Sequence, residues 1–179
     1  MKHFRKKKEQ KRKPTKTYPI QFSFEETQEN IRLNLNTFQK LSKNEILSKA
    51  FDSHSKGHIL EAEKYYRYLI KKGINNPGIY SNYGVILKRR GNTDKAIKLY
   101  QKCIEIFPNS SEAYNNLGNI YKDLGKIKES EKYHRKAIDI DSEFAEANNN
   151  LGNTLKTLGK PEEAEKYFLQ AIKINPNYI

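Results

Sequence analysis

The sequence has one cysteine, Cys103, among 179 residues. Neither a disulfide framework nor a four-ligand zinc site can be built from it within one chain. A lone thiol fits a reducing compartment. No apolar run approaches the roughly 20 residues needed to cross a bilayer. The N-terminus is positive but has no apolar stretch behind it, so it does not read as a secretory signal. These absences lead to the expectation of a soluble, cytoplasmic protein. Regular β-branched alternation is missing too, which argues against a sandwich or barrel. Every clear apolar pattern after residue 42 has helical spacing. Finally, no glycine-rich phosphate loop, nucleophile elbow or paired histidine–carboxylate motif occurs. The reading is therefore of a non-enzyme, with no cofactor and no metal.

What the chain does have is positive charge, unevenly spread. Formal net charge is +13, and residues 1–19 alone carry nine Lys/Arg against one acid, Glu9. The remainder is only mildly basic. The tail also holds Pro14 and Pro19 and almost no apolar side chains. Such a segment cannot bury enough surface to offset its ordering entropy, so disorder is expected over 1–19. Its lysines and arginines can bind nucleic acid through counterion release or dock on an anionic membrane. Only Phe4 and Tyr18 are at hand for base stacking, and a solubilising extension is the favoured reading. Residues 20–42 form a linker or capping helix. Ser23 and Glu26 have capping-box spacing, and Ile31, Leu35 and Phe38 share a helical face, so a helix over about 24–41 is expected.

The strongest signal is a double comb of glycines. Gly84, Gly118 and Gly152 are 34 residues apart, and so are Gly57, Gly91, Gly125 and Gly159. One structural unit is copied along the chain, in frames 43–76, 77–110, 111–144 and 145–178. In the third copy, Ala113, Leu117, Ile120, Tyr121 and Leu124 mark the stripe of a first helix. Gly125 breaks it. Ser130, Tyr133, His134, Ala137, Ile138 and Ile140 mark a second helix. Breaks between copies fall at Pro108, Ser142 and Pro176, where proline cannot continue a helix. A helix pair this small buries its apolar face only against neighbouring pairs, so three or more copies are needed.

These residues resemble the tetratricopeptide repeat, whose pattern is Leu-Gly-x2-Tyr, then Ala-x3-Phe, then Pro. Leu117-Gly118-x2-Tyr121 matches the first part. Ala96-x3-Tyr100 and Ala164-x3-Phe168 match the second, and Pro108 and Pro176 the third. Repeat one departs from the pattern, with Lys49 and Ala50 at the leucine and glycine positions and Ile74 at the proline position. His134 replaces the usual aromatic, and Cys103 a small buried alanine. The resemblance implies an all-α, right-handed solenoid of about four helix-turn-helix repeats. The first helix of each pair would line a concave groove.

That groove carries a second periodic signal. Asn82, Asn116 and Asn150 recur every 34 residues on the first helices. Asn115 and Asn149 precede two of them, Asn119 and Asn153 follow, and Lys88, Lys122 and Lys156 form another row. Asparagine is a poor helix former, so a cluster of it in helix centres needs a reason. A carboxamide both donates and accepts, and can hold a peptide group from either side. Neighbouring helices lie roughly 10 Å apart and an extended peptide rises about 3.3 Å per residue. One Asn per repeat would then meet about every third residue of a bound strand. The row resembles the asparagine ladder of the O-linked N-acetylglucosamine transferases, with Asn82, Asn116 and Asn150 at the ladder position. The alternative is that these amides are copied by duplication and simply bond their neighbours or water. The family's clamp for a chaperone's terminal carboxylate is excluded. Its positions here read Ser81, Val85, Asn116, Glu146 and Asn150, and only Asn116 fits.

Two smaller features complete the sequence reading. His54 and His58 have metal-ligand spacing, but Gly57 between them breaks the helix, so the rings are expected to part. The last helix carries Phe168, Ile172 and Ile174, and self-association through this C-terminal edge is expected unless Tyr178 and Ile179 cover it. The functional expectation is a non-catalytic module that holds an extended peptide or partner protein in its groove. The alternatives are a substrate-recruiting arm of a glycosyl- or sulfotransferase system, or a basic-tailed nucleic-acid or membrane adaptor.

Overall fold

The computed structural model describes residues 41–177, which hold eight α-helices and no strand. The basic tail, the expected helix over about 24–41 apart from Leu41, and Tyr178 and Ile179 lie outside the described residues. The helices run α1 (Lys43–Ser55), α2 (Ile59–Lys71), α3 (Pro77–Arg89), α4 (Thr93–Ile106), α5 (Ser111–Asp123), α6 (Ile127–Ile140), α7 (Ala145–Thr157) and α8 (Pro161–Ile174). None is long and apolar enough to cross a membrane.

Local chemistry sets several of the helix ends. Ser42 and Glu45 form a capping box on α1: the Ser42 amide donates to Glu45 Oε2 at 2.8 Å, and the Glu45 amide donates to Ser42 Oγ at 3.3 Å. Asn76 caps α3 by accepting from the Gly78 amide at 2.9 Å, with Pro77 in the first turn. Within each repeat the two helices are joined through a glycine in the left-handed region, as at Gly125 with φ 72°. A side chain there would strain the backbone.

The other comb works by close approach. A Cβ on Gly118 would lie 2.3 Å from the His134 ring, and one on Gly84 would lie 2.3 Å from the Tyr100 ring. Glycine lets the second helix set a ring directly on the first. Tyr66, Tyr100, His134 and Phe168 hold this place in successive repeats. His134 is fully buried, so it replaces the aromatic in position as well as in sequence.

The core is divided among the layers. Tyr66 and Leu69 of α2 cluster with Ile46 of α1 and with Ile79 and Ile86 of α3. Tyr80 of α3 and Tyr100 of α4 cluster with Leu117 and Ile120 of α5. Leu151, Leu155 and Ala164 form the last cluster. The expected stripe of α5 loses one member: Leu124 is 49% exposed, because the helix has ended and it forms the C-cap. First helices of neighbouring repeats pack on each other, α3 on α5 and α5 on α7, while second helices show no comparable packing. First helices therefore lie on the inside of the curve and second helices fan apart outside.

Candidate functional site

The inner surface is made from the first helices, and the amides there fall into three states. Asn115 is buried at 1% exposure and is fully engaged. Its Nδ2 donates to Glu146 Oε1 at 2.9 Å, and its Oδ1 accepts from Asn150 Nδ2 at 3.0 Å. This chain of bonds ties α5 to α7. Asn115 braces the wall rather than offering itself to a ligand.

Asn82, Asn119 and Asn150 are half-buried and each has one bond. Asn82 has its partner in the hydroxyl region of Tyr66 in the preceding repeat, where it partly offsets the upward push of burial on that phenol. His134 Nε2–H donates to Asn119 Oδ1 at 3.2 Å. That leaves His134 Nδ1 as an acceptor for the Ser130 hydroxyl at 3.4 Å, because the single proton of Thr154, 3.1 Å away, is spent elsewhere. Thr154 in turn donates to the Asn150 carbonyl at 2.8 Å. The outcome is a set polarity. Asn119 engages its oxygen and its NH2 has no partner among the described residues, while Asn150 engages its NH2 and its Oδ1 has none among them.

Asn116, Asn149 and Asn153 are half-buried, and their side chains make no hydrogen bond among the described residues. The lysine row divides as well. Lys88 pairs with Asp123 of the next repeat at 2.6 Å. Lys122 and Lys156 form no ion pair among the described residues.

His54 falls on the lysine row, 34 residues before Lys88, but it is buried. Its Nδ1 is 3.0 Å from the Tyr66 hydroxyl and its Nε2 has no partner among the described residues. Burial, with Arg89 nearby, lowers its pKa to about 4. Burial does the same to His134, again to about 4, with Lys122 adding to the effect. His58 starts α2 on the surface, 3.8 Å from Glu61, so the two rings of the His54/His58 pair do part. No cluster able to hold a metal occurs among the described residues. The Cys103 thiol is buried and pushed up to about 11. It is thus protonated at neutral pH and unfit as a nucleophile.

Glu146 and Thr154 organise this wall, and the asparagine pattern alone does not reveal them. Glu146 has a visible signal in Glu112, 34 residues earlier. It also sits where a carboxylate clamp would need lysine. Outside the groove, a cavity of about 560 Å³ opens between α4 and α6, floored by Tyr114 and Leu117 of α5.

With the fold and wall in view, the comparisons give the class. The tetratricopeptide repeat family matches residues 77–143 and 109–177, together more than half of the chain. The chain belongs to the tetratricopeptide repeat family. Among solved structures it is similar to MamA, with a TM-score of 0.62 at 20% identity, over 74% of this chain and 78% of that one. It is also similar to YrrB, a TPR protein described as having an unusual peptide-binding site. There the TM-score is 0.59 at 21% identity, over 74% of this chain and 69% of that one. No curated protein matches the chain in sequence.

Proposed function

We propose that this protein is a binding module whose inner wall holds an extended segment of a partner protein by its backbone. The observation that carries this reading is the polarity left on the amides. Among the described residues, Asn119 has an unpaired donor end and Asn150 an unpaired acceptor end, each fixed by a bond to the protein behind it. A peptide group needs one of each. Amides already held in place lose little rotamer entropy on binding, which favours affinity. Asn116, Asn149 and Asn153 extend the same chemistry along α5 and α7, and Lys122 and Lys156 add positive charge toward carbonyls or acidic side chains. Contacts of this kind read main chain, so specificity is broad. The peptide-binding site described for YrrB supports the same use of the fold.

The test starts from a peptide selected on the wild-type protein from a random display library. Its affinity is then measured for the triple variant Asn116→Ala, Asn149→Ala, Asn153→Ala. At about 0.5–1.5 kcal/mol per hydrogen bond, capture should weaken by about tenfold or more. Helicity should stay unchanged, because these amides make no hydrogen bond among the described residues. Undiminished affinity both in the fully helical triple variant and in Asn119→Ala would remove the inner wall from the account.

A further inference from the structure

The outer repeat differs from the inner ones at one position of its second helix. Leu169 of α8 aligns with Gln101 and Arg135, which are polar. In the inner array this position faces the neighbouring second helix: Arg135 of α6 donates to Glu163 of α8 at 2.6 Å and to the Tyr167 hydroxyl at 3.1 Å. Leu169 is 59% exposed and Ile172, one turn on, is 42% exposed. At the aligned places Ile104 and Ile138 are half-buried. An apolar pair thus stands where a further second helix would lie.

The charges around that pair are ordered. Glu165, Leu169 and Lys173 lie four residues apart on one exposed stripe, with Lys166 on one flank of Leu169 and Ile172 on the other. Neither Glu165 nor Lys173 takes part in an ion pair among the described residues. A two-fold axis through Leu169 would set α8 antiparallel to its symmetry mate. Leu169 then meets Leu169, and each Glu165 faces a Lys173. Each Ile172 is covered by the aliphatic stem of a Lys166. A parallel pairing would instead place like charges together. The stripe is self-complementary in one orientation only, as an isologous contact requires.

We infer that α8 is the docking face for a second copy of this chain, in an antiparallel pair centred on Leu169. This face is separate from the inner wall, so the inference stands or falls apart from the peptide reading. A single-helix contact is small, and interfaces below about 1,000 Å² are weak.

Sedimentation equilibrium on the full chain, from about 1 to about 500 µM, spans the range in which so small an interface associates. Dimer should build up with concentration. Leu169→Glu should weaken association by about tenfold or more, since it buries two like charges at the axis. Glu165→Lys and Lys173→Glu should each weaken it alone. Combined in one chain they should restore it, and the two single variants mixed should form a heterodimer. A chain that stays monomeric throughout assigns the face to its own residues and overturns the proposal. So does a dimer indifferent to Leu169→Glu, or a double charge swap that restores nothing.

Discussion

The first two repeats and the last two share a backbone plan but fill it with different chemistry. Tyr66 and Tyr100, from the second helices, pack onto the first helices of repeats one and two amid large apolar and aromatic residues, with the Tyr66 hydroxyl against His54. In repeat three the same place holds His134, surrounded by Ser130, Thr154 and Asn119. Position 81 is a serine in repeat two, and its counterpart in repeat three is the bridging Asn115. The comparison separates two ways of joining layers. One uses apolar area, which has no direction. The other uses hydrogen bonds, which fix the orientation of side chains at the inner wall. The second half gives up some apolar core and gains amides with a defined polarity.

Acid should produce the largest effect, and it draws on one buried histidine in each half. His54 and His134 are neutral in the folded chain, with pKa lowered to about 4, while the unfolded chain takes up a proton near the ordinary 6.5. Between these values the unfolded state binds more protons. Stability is therefore fully present above pH 6.5 and is lost as pH falls toward 4. Each histidine contributes on the order of 3 kcal/mol to that loss. Urea midpoints across this range should show it. His134→Phe, which copies the Phe168 arrangement, should remove about half of the slope. An unaltered slope would mean that His134 is not a source of the acid sensitivity and that His54 or other groups carry it.

Adding one methyl group under the rings tests the close approach. Gly84→Ala sets a Cβ against the buried Tyr100 ring. Overpacking costs about 1–3 kcal/mol, and the helix regains about 1 by losing a glycine. The net loss should be up to about 2 kcal/mol by urea denaturation. Repeat one already carries Ala50 at this place, fully buried. Ala50→Gly should therefore also destabilise, by about 1 kcal/mol. A gain from Ala50→Gly would show that repeat one is strained where its neighbours are not.

The remaining test concerns the brace itself. Asn115→Ala breaks the link to Glu146 and Asn150 and should cost about 1–2 kcal/mol. Ser81→Ala at the matching place should stay within about 0.5 kcal/mol. Equal costs in parallel melts would erase the distinction between the two halves.

The glycine combs could be read directly because each answers to backbone geometry alone. A left-handed turn at Gly125 and a ring pressed on Gly118 both demand the absence of a side chain, whatever the surroundings. The fate of the asparagines was harder to read. Asn115 and Asn116 are adjacent in sequence and alike in chemistry, yet one is committed and the other is not. The difference rests on Glu146 and Asn150, 31 and 35 residues away. Helical phase indicates which side a residue faces, but not which carboxylate meets it from the next layer. Leu124 misled for a related reason: periodicity continues on paper past the residue where the helix stops. Repeat alignment also shows Leu169 as the apolar exception among polar counterparts, a clue that only exposure turns into a surface.

The partitioned core has a consequence for how such a protein changes over generations. Each cluster draws on adjoining layers and on nothing farther away. A duplicated stretch of coding sequence one period long would bring its own filling and meet familiar neighbours on both sides. The array can then be lengthened or trimmed in whole steps, with no compensating substitution elsewhere.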